Sequence, residues 1–260
     1  MAQKTLWLTW LPAGDGAPPP QPIVQALHQN GFAVQGAPWI DAPADFAWAE
    51  LGKQLAADQG PNVWVVAGRT QDFANPDHRF GTAMIAALLT ADRKQPPHIV
   101  LLGLDGPLDQ ATLPTLLQNA ILVDAKAAGF GAKVLIATTP PPVRPKEPFR
   151  MRVSAHKMFG LWLEVGPATG SWQGAMVGAA GAKPENHAVG PRGGLPERTE
   201  LHYKLEGLEL EVGGATFVAN AVQNPIGQED AYYVRLQGRP SAVLIGQHPD
   251  VDAEVSVLRF

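Results

Sequence analysis

Asn62–Ala67 reads NVWVVA and runs straight into Gly68-Arg69-Thr70. A short unbroken apolar run, rich in β-branched and aromatic residues and closed by glycine, is the pattern of a strand covered on both faces. Working outward from it, Thr5–Leu11 (TLWLTWL) is a second such run, ended by Pro12 and a Gly-Asp-Gly turn. Phe32–Ile40 is a weaker strand broken by Gly36 and Pro38, Ile99–Leu104 (IVLLGL) a fourth, and Lys133–Ala137 (KVLIA) reads as the fifth. Between them lie helical stretches: one opened by Pro22 and stopped by Gly31, one from Asp45 to Ala57, one from Arg79 to Arg93, and one over Leu113–Ala128. The segment AMIAALL inside the third is apolar nearly all round, which argues burial between other elements.

Strands separated by helices are the signature of βαβ units and a mostly parallel sheet. The expected fold class is therefore α/β: a flavodoxin-like or Rossmann-like three-layer domain with a mostly parallel five-stranded sheet, followed by a β-rich C-terminal domain. The boundary is set by TTPPPVRPKEP (138–148), whose five prolines continue neither a helix nor a central strand. This gives a domain over 1–140, a linker over 138–149 and a second domain over 150–260. Beyond the linker, strand-length pieces follow one another. HYKLEGLELEV and YYVRLQGRPSAVLI read as hairpins turning at Gly207 and at Gly238-Arg239-Pro240. The breaker-rich stretch 178–199 reads as a long loop.

Composition excludes several chemistries. The 260 residues contain no cysteine, so there is no disulfide, thiolate nucleophile or cysteine-ligated metal. A formal net charge of −4 gives no bulk attraction for nucleic acid or an anionic membrane. The N-terminus lacks the long apolar region of a signal peptide, and the longest apolar run, Ala83–Leu89, is far short of the roughly 20 residues that span a bilayer. A cytoplasmic protein without membrane contact is the expectation. The motifs of dinucleotide, P-loop, serine-hydrolase and zinc-hydrolase sites are all missing. A phosphoryl-accepting receiver would need an Asp ending the third strand and a Lys after the fifth. Here those places read Ala67-Gly68-Arg69 and Thr138-Thr139.

Ligands of open parallel sheets bind beyond the carboxyl ends of the strands. Those positions hold Asp15, Asp41, Arg69, Asp72, Asp105 and Thr138, which are the ligand-binding candidates; the same residue types also serve plain turns and caps. No essential metal and no cofactor is expected there. A second candidate group is basic: Arg144, Lys146, Arg150, Arg152 and Lys157 lie within 14 positions against one acid, Glu147. Such a patch suits phosphate, nucleic acid or an acidic partner, or simply a solvated linker flank. Arg150 and Arg152 fall on one face if the chain is extended, and reversing both charges should weaken association without touching the fold. A third group is Glu185, His187 and Arg192 in the glycine-rich loop, where His187 with Glu185 or Glu197 has the makings of an acid–base pair. The leading functional expectation is a non-catalytic protein-binding or assembly module of a cytoplasmic complex, binding a protein partner or its own copies. The alternatives are an enzyme or small-ligand sensor using the strand ends, and phosphate or nucleic-acid binding through residues 144–157.

Overall fold

A computed structural model describes residues 3–11, 18–248 and 254–260. The chain divides into two compact units, Met1–Pro145 and Lys146–Phe260.

In the first unit, β1 (Lys4–Trp10), β2 (Phe32–Pro38), β3 (Val63–Gly68), β4 (His98–Gly103) and β5 (Ile121–Asp124) form one parallel sheet in the order β2-β1-β3-β4-β5. The order reverses between β1 and β3, with Leu6 opposite Val63 and Trp10 opposite Ala67. Alternate side chains go to opposite helical layers. Leu6, Leu8, Val63, Val65, Val100 and Leu102 pack with Ile23 and Leu27 of α1 (Gln21–Gln29) and Val134 of α5 (Phe130–Ala137). On the other face α2 (Trp48–Ala56) packs against α4 (Pro76–Asp92). Gly52 lets α2 approach, since a Cβ there would lie 2.6 Å from the Leu88 side chain. The all-apolar turns of α4 are buried, as their composition requires.

Edge position explains the weak look of β2. At an edge, Pro38 sacrifices no ladder partner. Gly36 is demanded by the neighbouring strand, because a Cβ would fall 2.1 Å from the Leu8 carbonyl oxygen.

Two expectations for this unit are corrected. KVLIA belongs to helix α5, not to a strand, and the fifth strand is ILVD at 121–124. The stretch 113–128 holds a short 3-10 turn, Thr115–Leu117, ahead of β5 rather than a helix. Phe130, Val134 and Leu135 recur at helical spacing against the core, while Ile136 points to solvent at 71 % exposure. The 68–79 stretch contains helix α3 (Thr70–Ala74) and the start of α4, which Asn75 caps by accepting from the Asp77 amide at 2.8 Å.

The second unit holds two antiparallel sheets. The four-stranded sheet runs β6 (Phe149–His156), β7 (Gly160–Pro167), β12 (Asp230–Gln237), β9 (Lys183–Pro191). The five-stranded sheet runs β10 (Leu205–Val212), β11 (Ala215–Val222), β8 (Ala175–Ala180), β13 (Ala242–Gln247), β14 (Val255–Arg259). One face of it, with Ala180, Ala219, Ala221 and Ala242, forms a single apolar cluster that Leu210 of β10 and Val257 of β14 join from the two outer strands. Three more corrections arise here. The 178–199 stretch contains the second half of β8 and all of β9. Gly207 (φ +70°) makes a bulge inside β10, and the turn falls at Gly213-Gly214. The segments on either side of Gly238-Arg239-Pro240 join different sheets and do not pair as a hairpin.

Candidate functional site

The carboxyl ends of β3 and β4 bring several of the expected residues together. Gly68 ends β3 tightly against Leu11, and Arg69 enters α3 with extended backbone (φ −81°, ψ 163°). The Asp72 carboxylate turns back to accept from the Arg69 amide at 2.8 Å and lies 3.6 Å from its Nε. Asp105, from the end of β4, accepts from the Thr70 amide at 2.9 Å and from its hydroxyl at 3.1 Å. These bonds, the Thr70 amide foremost, hold the Asp105 carboxyl below its usual range. The protein's own carboxylates thus satisfy the amides that open α3, where an external anion would otherwise bind.

The other strand-end candidates are not gathered there. Asp41 is exposed beyond β2. Asp15 lies outside the described residues. Thr138 ends α5 instead of a strand. Its hydroxyl donates to the Val134 carbonyl at 2.8 Å, and Lys4, at the start of β1, donates to its carbonyl, which puts it at the opposite, amino end of the strands.

Close to this end of the sheet, sequence reasoning passed over His78. Its ring is 2 % exposed and stands edge-on to Trp39 with centroids 5.9 Å apart. Nδ1 lies 2.9 Å from the Asp72 carbonyl oxygen. A carbonyl only accepts, so Nδ1 carries the proton and Nε2 presents a lone pair. That Nε2 is buried without a hydrogen-bond partner among the described residues.

In the second unit His187 meets neither Glu185 nor Glu197. Glu185 instead stands 3.7 Å from Arg235. His187 Nε2 is 3.0 Å from Glu206 and Nδ1 is 2.7 Å from the Tyr232 hydroxyl. The neutral ring satisfies both: Nε2–H donates to the carboxylate and Nδ1 accepts from the hydroxyl. The order hydroxyl–imidazole–carboxylate matches a nucleophile, base and orienting acid. Tyr232, however, is 0 % exposed, so no substrate reaches its oxygen, and burial drives its pKa well up. The chain of bonds ties β12, β9 and β10 together.

Burial lowers the His187 pKa and outweighs the opposing pull of Glu206. Above the unfolded-state value, about 6.5, His187 is neutral in both states and its contribution to stability is fully present. As pH falls below that value the unfolded chain takes up the proton first, and stability declines until the lower folded value is passed. Denaturant midpoints measured on descending pH should therefore fall, and fall less steeply in His187→Asn. His98, whose pKa burial also lowers, remains as the shared background in both proteins. Equal slopes would contradict a neutral buried His187.

The basic segment is partly consumed inside the fold. Arg144 donates to the carbonyls of Arg93 and Lys94. Arg150 and Arg152 do share a face of β6, but the Arg150 guanidinium lies over Gly166 and donates to the Gly227 carbonyl at 2.8 Å and to that of Asp230. Reversing it cannot leave the fold untouched, contrary to expectation. Arg152 stands in register with Glu164, Lys146 is exposed in the flank, and Arg192 donates to the Gln228 carbonyl at 3.2 Å.

The β6–β7 turn carries what the sequence did not flag. Met158 and Phe159 are 74 % and 63 % exposed. The turn is nonetheless held: Met158 N–H donates to His156 Nδ1 at 3.1 Å, Trp162 Nε1 donates to the Phe159 carbonyl at 2.9 Å, and the His156 and Phe159 rings lie 5.0 Å apart. Elsewhere in this unit a polar cleft of about 250 Å³ is lined by Gln173, Gly174, Gln223, Gln247 and His248. Among the described residues no helix is long and apolar enough to cross a membrane, and no group of three or more acidic or histidine side chains has the geometry of a metal site. Compared with known proteins, the chain matches no family model and no curated protein.

Proposed function

We propose that the protein is a non-catalytic binding module that assembles with protein partners in the cytoplasm. The observation that carries this reading is the β6–β7 turn, where two large apolar side chains face solvent on a backbone fixed by internal hydrogen bonds. Pre-ordered apolar side chains lose little entropy on docking, which is what an interface anchor needs. The strand-end carboxylates, already engaged with Arg69 and Thr70, speak for structure more than turnover.

A second reading, a small ligand held near the strand ends, draws on the unshared lone pair of buried His78. One preparation addresses both. The full-length protein, purified gently from its native source, should run with a bound protein that the Met158→Ser/Phe159→Ser variant loses while its far-ultraviolet spectrum stays the same. A preparation with no bound protein, but with a small molecule released by His78→Ala, would replace the first reading with the second.

A further inference from the structure

We propose that one protein this module binds is a second copy of itself, the β6–β7 turn of one copy seating on the β10 edge of the next. This rests on the binding-module reading above.

The two surfaces are complementary in charge and alike in apolar character. Lys157 and His156 adjoin the turn, and the nearest acids along the chain are Glu147 and Glu164. At the tip of the turn stand Met158 and Phe159, with Gly160 (φ +76°) turning the chain beneath them against Arg235. Residues 197–211 carry five acids, Glu197, Glu200, Glu206, Glu209 and Glu211, against Arg198 and Lys204. In the middle of that stretch stand Tyr203, 80 % exposed, and Leu205, 38 % exposed.

The acidic side is also pre-ordered. Asn224 accepts from the His202 amide at 2.8 Å and donates to the Glu200 carbonyl at 2.8 Å, and Gln223 N–H donates to the His202 carbonyl at 2.9 Å. Asn220 takes the Gly207 amide at 3.1 Å. Between these anchors Tyr203 is held at φ +44°, a left-handed conformation that a bulky residue adopts only when its surroundings impose it. The result is an aromatic ring pointed at solvent. Just beyond it β10 is an outer strand of its sheet, with one edge unpaired by any strand among the described residues.

An apolar knob flanked by Lys157 and an apolar ledge flanked by Glu209 and Glu211 meet with favourable charge and buried apolar area at once. Because knob and ledge are different patches, the contact is head-to-tail, and it builds rings or open chains instead of a closed two-fold dimer.

The test is sedimentation of the full-length protein over a concentration and salt series. Wild type should show concentration-dependent association beyond a dimer, weakened as salt rises. Phe159→Ser should abolish it. Lys157→Glu, and separately Glu209→Lys/Glu211→Lys, should each weaken it about tenfold, the effect of roughly 1.4 kcal/mol at an interface. An equimolar mixture of the two charge variants should recover association, since each supplies the reversed partner the other needs. Strictly monomeric wild type at the highest soluble concentration, or association indifferent to all these variants, overturns self-docking. The binding-module reading falls separately, on a native preparation that carries no protein partner lost in Met158→Ser/Phe159→Ser.

Discussion

Trp64→Ala is expected to destabilise the N-terminal unit by about 3–5 kcal/mol, the usual cost of truncating a large buried aromatic side chain. Trp64 is 0 % exposed in the central strand β3, and its Nε1 donates to the buried Thr9 hydroxyl of β1 at 3.0 Å. Truncation leaves a cavity on the face of the sheet opposite the Val63–Val65 core and leaves the Thr9 hydroxyl without its donor. An orphaned buried polar group adds roughly 1–3 kcal/mol. Against a total domain stability of about 5–15 kcal/mol, much of the native population is lost. Trp64→Phe keeps most of the ring volume and should cost markedly less. Denaturant titration of the full chain, followed by far-ultraviolet circular dichroism, measures the difference. A shift equivalent to less than about 1 kcal/mol would mean that the site collapses around the missing ring to an extent core packing rarely permits.

The first four strands were legible because each combines a one-sided or two-sided apolar run with a breaker at its end, whereas their order in the sheet was not. Val63–Gly68 needs no context to be read as a covered strand. The fifth strand was not legible. Ile121–Asp124 is four residues long, and its register, with Val100 opposite Ile121, comes from β4 and not from local preference. KVLIA misled for the complementary reason: Val134 and Ile136 favour strands locally, yet Val134 and Leu135 are recruited to a helix that covers the sheet. In the second unit the prolines of β9 disguised a strand. Pro184 and Pro191 are tolerated because β9 is the edge of its sheet, where a missing N–H costs no ladder bond on the open side.

The candidate sites were legible as residue types and illegible as partnerships. Asp105 could be placed at a strand end, but its bond to Thr70, 35 positions away, depends on β3 and β4 being neighbours. His187 was singled out with the nearest acids in sequence. Its actual partner, Glu206, comes from another sheet, and Tyr232 from 45 positions further along the chain. Met158 and Phe159 drew no notice because an apolar pair between two strands is indistinguishable from core until the turn is located. The spacing from His156 to Gly160, a glycine followed by the alternating LWLEV run, is the signal that could have located it.

Arg150→Ala should destabilise the C-terminal unit by about 2–4 kcal/mol, and Arg150→Glu by more, while Arg152→Glu costs under about 1 kcal/mol. The two arginines are two residues apart on one face of β6, so charge alone would make them equivalent. Their surroundings separate them. The Arg150 guanidinium bridges the carbonyls of Gly227 and Asp230, closing the loop that feeds β12, and burial pulls its pKa down although it stays charged at neutral pH. Removing it strands two carbonyls, and reversing it sets a carboxylate against them. Gly166 is part of the same device: a Cβ there would sit 2.6 Å from the guanidinium carbon, so Gly166→Ala should displace Arg150 and reproduce much of its loss. Arg152, facing Glu164 across the β6–β7 ladder, costs a cross-strand charge pair when reversed, with like charges then opposed. Denaturant midpoints of the four single variants give the ranking. Arg150→Ala falling within about 0.5 kcal/mol of wild type, the range of an ordinary surface change, would refute the clamp and return Arg150 to the pool of surface cations.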